Sequence, residues 1–352
     1  MTASISCRDD DKQLHLERGE AMPDSSKALR FATAVFLAGA CLAQHATAQT
    51  DAAKDYPNKP IRILVGVTAG GGSDTTARAI AQKLTDTWGR QVVVDNRPGA
   101  NAAIALDLAA KAAPDGYTIC MIAASQTITA AVNPKLPYDL TKDLVGISQA
   151  SSLFYVLYHI PSVPIKSIRE LIAYAKANPG KLNYGTPGAG NLQHLAVEMF
   201  SYMAGVKLIH VPYKGGSAAV AAALAGEVQV GMGSLITARP HLSSGRLRAL
   251  AITAKQRSPA VPELPTVAEA GVPGYEVTQW YGVIAGAKVA PAIIRKLNAG
   301  IVEALKSPDV VQRLAADGST ATSSSPEAFD AYIKSEMAKW RKLVKDVGLV
   351  LD

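Results

Sequence analysis

Ile61-Arg62-Ile63-Leu64-Val65-Gly66, running into Val67-Thr68-Ala69-Gly70-Gly71-Gly72-Ser73-Asp74-Thr75-Thr76-Ala77-Arg78, decides how the rest of the chain is read. The apolar run predicts a strand, the three glycines a tight turn, and Thr75 to Trp88 a helix. Ser73 or Asp74 stands where a helix cap belongs, because a short side-chain oxygen accepts from the free first-turn N–H groups. Those N–H groups and the positive end of the helix dipole then face whatever lies over the glycines. Without Cβ atoms the backbone can approach a ligand closely. Two readings stand at this point: one wall of an anion-binding cleft, or an ordinary strand-to-helix turn.

The same grammar repeats downstream. Gln91 to Asp95 predicts a second strand, Asn96 to Asn101 a Pro-Gly turn, Ala102 to Ala112 a helix, and Tyr117 to Ala123 a third strand. That third strand is almost wholly apolar, as a strand covered on both faces is. Alternation at this spacing implies right-handed βαβ units and a largely parallel sheet. Ser125, Gln126 and Thr127 follow at its carboxyl end, where open α/β sheets bind ligands, and they also suit a helix cap. Ile147 to Ile160 is a long glycine-free strand that crosses into a fresh α/β series. That series predicts helix Ile168–Ala177, strand Leu182–Gly185, the loop Thr186-Pro187-Gly188-Ala189-Gly190-Asn191 and helix Leu192–Ala204. Strand Leu208–Val211, a turn holding Tyr213 and Lys214, and helix Ala218–Ala225 come next. Strands Val228–Met232, ending in Gly233-Ser234, and Leu247–Thr253 complete the series. Val272 to Ala285 reads as the return crossing, after which helices Ala290–Lys306, Pro308–Asp317 and Pro326–Val347 pack back on the first part. The expected architecture is α/β and two-lobed, each lobe a largely parallel sheet flanked by helices, with a cleft between. Lobe 1 is placed at 57–157 plus 280–352 and lobe 2 at 158–279.

Four turns of one kind then line up, each after an apolar strand and before a helix. They supply the candidate ligand contacts: Thr68, Ala69, Gly70, Gly71, Ser73 and Asp74; Ser125, Gln126 and Thr127; Thr186, Gly188, Ala189, Gly190 and Asn191; Tyr213 and Lys214; with Ser234 beside them. Helix starts facing one another across a cleft would hold a small anion. Charge-assisted hydrogen bonds of about 1.5–3 kcal/mol each suffice, offset by ordering costs, for roughly −8 kcal/mol of binding. Asp74 and Arg78 lie one turn apart and can pair, which relieves the repulsion an unpaired Asp74 would exert on a carboxylate. Lys214 reads equally as a ligand contact or a solvated surface cation, and Trp280 and Tyr281 as hinge packing or a ligand-facing wall.

Catalytic signatures are missing. The chain has neither nucleotide fingerprint, Gly-x-Gly-x-x-Gly or Gly-x-x-x-x-Gly-Lys-Ser/Thr, and no Gly-x-Ser-x-Gly elbow. His159, His194, His210 and His241 are isolated, without metal-ligand spacing. His159 and His210 read as strand residues; His194, one turn into its helix, either orients the Thr186–Asn191 loop or simply packs. No catalytic residue, metal or cofactor is expected.

At the front, Phe31 to Ala43 is continuously apolar but shorter than the ~20 residues that span a bilayer. It follows Lys27 and Arg30 and leads into Ala46-Thr47-Ala48, the pattern of a cleaved signal peptide over 1–48 with Met22 as a plausible true start. Cys41 is a weak lipid-attachment candidate. The mature chain keeps 31 Lys/Arg against 23 Asp/Glu and a single cysteine, Cys120. It therefore forms no internal disulfide, and a chain of this size has core enough without one. Over the full 352 residues, a hydrophobic content of 48% and a charged content of 18% suit a globular protein. The positive charges are dispersed and lack interleaved aromatics, which disfavours nucleic acid.

As an ordered set, these motifs resemble the substrate-binding proteins of tripartite tricarboxylate transporters, the Bug or TctC-like family. The resemblance rests on Tyr56-Pro57-x-Lys59-Pro60-Ile61, Gly70-Gly71-x-x-Asp74-x-x-Ala77-Arg78, Val94-x-Asn96-Arg97-Pro98-Gly99-Ala100 and Pro114-Asp115-Gly116-Tyr117-Thr118. It continues through Leu136-Pro137-Tyr138-Asp139, Tyr184-Gly185-x-x-Gly188-x-Gly190-x-x-x-His194-Leu195, Val211-Pro212-Tyr213-Lys214-Gly215 and Pro265-Thr266-Val267-Ala268-Glu269-Ala270-Gly271. It implies a type II-like periplasmic binding protein that closes on a di- or tricarboxylate, delivers it to integral membrane permease subunits, works as a monomer and catalyses nothing. It also implies that loops 68–74 and 186–191 hold the ligand by backbone N–H groups, small hydroxyls and ordered water. Three departures stand out: Gly233-Ser234 and Gln229 where the family often carries Asp, and Val67-Thr68-Ala69 where an aromatic-Pro-x is common. They open the site to a bulkier or aromatic carboxylate. The competing expectations are a secreted enzyme using Asp74 or His194 as general base, and a sensory binding protein of the same fold.

Overall fold

Strand β1 (Ile61–Val65), helix α1 (Gly72–Trp88) and strand β2 (Val92–Asn96) form the first βαβ unit of a computed structural model that describes residues 53–316 and 318–348. The expected leader over 1–48, its cleavage site and Cys41 lie outside the described residues. A single 3₁₀ turn (Ala100–Ala102), α2 (Ala103–Ala110), β3 (Thr118–Ala123), α3 (Ala124–Val132) and β4 (Leu144–His159) follow. The second series is α4 (Ile168–Ala177), β5 (Asn183–Thr186), α5 (Leu192–Ala204), β6 (Ile209–Pro212), α6 (Gly216–Leu224) and β7 (Val230–Ser234). Then come α7 (Leu235–Ser243), β8 (Arg248–Ile252), the short α8 (Val267–Ala270) and β9 (Thr278–Gly286). The chain closes with α9 (Pro291–Lys306), α10 (Pro308–Ala316), β10 (Thr320–Ala321) and α11 (Pro326–Val347).

The two-lobed α/β architecture follows from how these strands share partners. β2, β1 and β3 pair in parallel, as do β6, β5 and β7, so each lobe has its own parallel wing. The crossing strands run antiparallel: β9 lies between β3 and β4. β4 pairs with β9 as far as Phe154 and from Tyr155 onward with β7 and β8, so it passes from one lobe to the other within a single strand. Ile61, Ile63, Ile119 and Ile122 are fully buried, as strands covered on both faces require. Trp280 on β9 is also fully buried, its Nε1–H directed at the buried carboxylate of Glu336 on α11, which also takes Nε1–H from Trp340. Gly282, two residues on, has no Cβ because one would stand 2.1 Å from Cζ of Phe329 on α11. Through these contacts the last helix locks onto the returning strand.

Two local expectations are corrected. Helix α1 begins at Gly72 rather than Thr75, and neither Ser73 nor Asp74 caps it; the cap is Gly71, which contributes no side chain. The helix expected from Ala102 starts at Ala103, because Asn101 and Ala102 adopt positive φ of 50° and 66°. Ala102 turns there to meet the end of β1, where a Cβ on Gly66 would lie 2.0 Å from its own. Helix α7 lies in a stretch the sequence reading leaves unassigned; Pro240 sits inside it, and the helix continues to Ser243.

Candidate functional site

Two adjoining cavities open at the carboxyl ends of the strands. One, of about 200 Å³, is lined by the β1–α1 turn (Gly66, Val67, Gly71, Gly72, Ser73), by Asn101 and Ala102, by Met121 to Ala123, by Ser125 and Gln126, and by Gln279 and Tyr281. The other, of about 400 Å³, takes Gly70, Gly72, Gln279 and Tyr281 from the same side. Across from them it takes Pro187, Gln193, Gly216, Ser234, Ile236 and Thr237, with Leu153, Tyr155 and Ser319 between. The first turn and the second-lobe turns therefore line one space, joined through Gly72, Gln279 and Tyr281. No lining residue of either cavity carries a formal charge.

The polar character comes from helix starts. Gly72 and Ser73 open α1, Ser125 and Gln126 belong to the first turn of α3, Gln193 is the second residue of α5, Gly216 opens α6, and Ser234 caps α7. Each start presents N–H groups that have no acceptor inside their own helix, together with the positive end of a dipole. At α1 no side chain fills that role. An anion over Gly72 would thus meet bare amides, with the serine, glutamine and tyrosine groups of both walls around it. Glycine is required at 72: a Cβ there would stand 2.4 Å from the hydroxyl oxygen of Tyr281, which closes over the helix start.

Asp74 shapes this turn without facing the cavity. It is 2% exposed, and its carboxylate accepts from the Gly70 N–H (2.9 Å), Arg78 Nε (2.9 Å) and Asn96 Nδ2 (2.9 Å). Burial alone would raise its pKa; the bonds from Arg78, Gly70 and Asn96 together outweigh burial and hold the carboxyl below its ordinary value. The Asp74–Arg78 pair is therefore real, and the carboxylate works as an internal staple. Thr68 and Ala69 form the exposed outer rim of the turn.

The second-lobe loop is built differently from the first. Thr186 is fully buried, and its hydroxyl donates to Gly188 O (2.9 Å) and meets Nε2 of His210 (2.6 Å). Asn191 caps α5 through the His194 N–H (2.9 Å) and donates from Nδ2 to Gly188 O (2.8 Å). The Gly190 N–H donates to Nδ1 of His194 (3.0 Å). The amides of Gly188 and Gly190, expected to face a ligand, are thus engaged within the loop, while Ala189 is exposed and Pro187 and Gln193 supply its cavity surface.

Of the residues singled out from sequence, Gly70, Gly71, Ser73, Ser125, Gln126 and Ser234 line the cleft. Three others are corrected by where their side chains go. Thr127 is fully buried, with its hydroxyl on Ala124 O (2.7 Å). The Tyr213 hydroxyl reaches Glu227 (3.0 Å), and Lys214 is exposed outside both cavities. Sequence reasoning passed over Gln279, Gln193, Asn101, Tyr155 and Ile236, and left Tyr281 open. A usable signal existed for two of them: strand alternation about buried Trp280 puts Gln279 and Tyr281 on the opposite face. His159 is a buried strand residue, as expected, with Nδ1 donating to Ile160 O (2.8 Å). A larger cavity, about 640 Å³, lies along the flank of α7 and the turn after β8, among the exposed Lys166, Arg239, Arg248 and Glu263. It gathers three cations and one carboxylate on long, exposed side chains.

Comparison with known proteins shows what the chain is similar to. Residues 76–349 match the family model described as tripartite tricarboxylate transporter family receptor. The chain is 36% identical over 319 residues to the protein BugT of Bordetella pertussis, covering 90% of this chain and 96% of that one. Among solved structures it resembles R. palustris Rpa4515 with adipate, at 32% identity and a TM-score of 0.70, covering 84% and 99% of the two chains. It also resembles MatC (Rpa3494) from Rhodopseudomonas palustris with bound malate, at 29% identity and a TM-score of 0.68, covering 82% and 100%. It further resembles the periplasmic binding protein BugD, at 29% identity and a TM-score of 0.69, covering 83% and 99%; the family is one of transporter receptors rather than enzymes.

Proposed function

We propose, from the premise that this chain belongs to the tripartite tricarboxylate transporter receptor family, that it captures a small organic carboxylate in its cleft and delivers it to the membrane subunits of such a transporter. The observation that carries the reading is the uncharged cleft onto which helix starts from both lobes open. Amides and hydroxyls can hold a carboxylate there without a cationic side chain, and adipate and malate in two relatives are carboxylates of suitable size. The lobe limits proposed are 57–157 with 280–352, and 158–279. Closure turns on the segments near Phe154–Ile160 and Val277–Tyr281; in support, β4 exchanges its partners between Phe154 and Tyr155. No helix among the described residues is long and apolar enough to cross a membrane. With the leader expected over 1–48, this supports a periplasmic place of action.

The alternative of a secreted enzyme loses its two bases. The Asp74 carboxylate is held by three donors and His194 Nδ1 by the Gly190 N–H, and neither residue lines the cavities. The uncharged Ser234, with Leu153, Tyr155, Pro187 and Ile236 nearby, leaves room for a ligand with an apolar or aromatic body. The test is a thermal-shift and calorimetric screen of the mature protein against aliphatic di- and tricarboxylates and aromatic carboxylates. One or more should raise Tm and be recovered intact. Stabilisation by none of them, or turnover of one, overturns the proposal.

A further inference from the structure

His194 and His210 stand face to face beneath the second-lobe loop, ring centroids 3.8 Å apart and 11° from parallel. Tyr184 lies beside both rings, 5.0 Å from His210 and 6.3 Å from His194, and its hydroxyl bonds Glu198, whose carboxylate lies 3.9 Å from His194 Nε2. Both rings touch the loop. His194 Nδ1 accepts the Gly190 N–H, and His210 Nε2 meets the Thr186 hydroxyl. A backbone N–H can only donate, so Nδ1 of His194 must be bare and its proton must sit on Nε2. The Thr186 hydroxyl proton is engaged by Gly188 O, so His210 Nε2–H is the donor to Oγ1. Gly190 adopts φ 71°, a turn whose N–H would otherwise have only water to bond.

We infer that His194 is a positioning residue for the ligand: its bare Nδ1 fixes the Gly190 turn, and the loop keeps its shape only while the stacked imidazole pair is neutral. A proton on Nδ1 would set two donors against each other at 3.0 Å and place an imidazolium against the His210 ring. The groups facing the pair are Tyr184 from β5, Thr186 at its end and Glu198 from α5. Glu198 is the one carboxylate among them; it lies 3.9 Å from Nε2, within ion-pair reach of a charged ring, but it faces away from Nδ1 and so cannot relieve the clash of that added proton with the Gly190 N–H. Burial, then the neighbouring His210, pushes His194 down to about 4, so the pair is neutral at ordinary pH. The loop carries Pro187 and leads into Gln193, both on the cavity wall, so its shape sets the second-lobe side of the cleft. The inference rests on the cleft being the carboxylate site.

The test compares His194→Asn, whose side-chain oxygen can replace the Nδ1 acceptor, with His194→Leu, which removes it. Nitrogen NMR of the wild type should show the His194 proton on Nε2. The Gly190 amide should exchange about tenfold faster in His194→Leu than in His194→Asn. With adipate or malate as probe, whichever the wild type binds, affinity should fall about tenfold in His194→Leu and recover most of the loss in His194→Asn. Wild-type affinity should decline as pH falls toward about 4. A proton on Nδ1, or equal Gly190 exchange in the two variants, overturns the inference. If the wild type binds neither probe, the carboxylate reading suffers, yet the NMR and exchange results still decide the role of His194. Should His194→Leu not fold, the tautomer of the wild type remains decisive.

Discussion

Gly72 has a role no larger residue can fill, since its missing Cβ lets Tyr281 close over the opening amides of α1. Gly72→Ala should push the ring aside, and because the phenol is the free end of a side chain, stability should change by less than about 1 kcal/mol. Affinity for the bound carboxylate should fall about tenfold or more by calorimetry; an unchanged affinity would separate Tyr281 and Gly72 from the ligand. The histidines make a second prediction. His159, His194 and His210 are each held below the ordinary 6.5, in every case chiefly by burial. The unfolded chain then binds more protons than the folded one, so their contribution is complete above about pH 6.5 and is lost as pH falls toward about 4. Urea unfolding across that window should show falling stability, with a shallower slope in His194→Asn. A flat profile would mean that the rings are not buried neutral.

The elements show where sequence reasoning reached and where it stopped. Asp74→Ala would leave the Gly70 N–H without its acceptor and Asn96 Nδ2 with only Val67 O of its two, at a cost of about 1–3 kcal/mol. Melting should detect that loss, and affinity should fall with it even though Asp74 does not line the cavity. Had Asp74 been a ligand contact, the variant would bind differently without melting earlier. Helices α4, α5 and α11 are legible because periodicity and boundary signals agree: Ser167, Asn191 and Ser325 cap their first turns through side-chain oxygens. The first turn misleads for the same reason, since its caplike Asp74 is drawn off by Arg78 and Asn96, and Asn96 lies beyond local reading. Strand–turn–helix spacing reveals that glycine turns precede helices at several strand ends. It does not reveal that the Gly188 and Gly190 amides are taken by the side chains of Thr186, at the end of β5, and His194, on α5.

At the scale of the whole molecule, β4 and β9 join two parallel wings, and α11 fastens the returning strand through Trp280, Glu336 and Phe329. Gly282→Ala would drive a methyl group to 2.1 Å from Phe329, and overpacking of this kind costs about 1–3 kcal/mol. Chemical unfolding checks it, and a neutral result would mean that the helix and strand are not packed as described. The long crossing strand and the three terminal helices were readable from sequence because they are long and strongly patterned; which turns meet was not, since that depends on the sheet's closing path. The central claim is that backbone amides at helix starts, not a charged side chain, hold the anion. A crystal structure of the mature protein with a carboxylate it binds tests this most directly. A carboxylate group should lie over Gly72 and Ser73, its oxygens at about 2.7–2.9 Å from their N–H groups. A ligand seated instead among Lys166, Arg239 and Arg248 would contradict it.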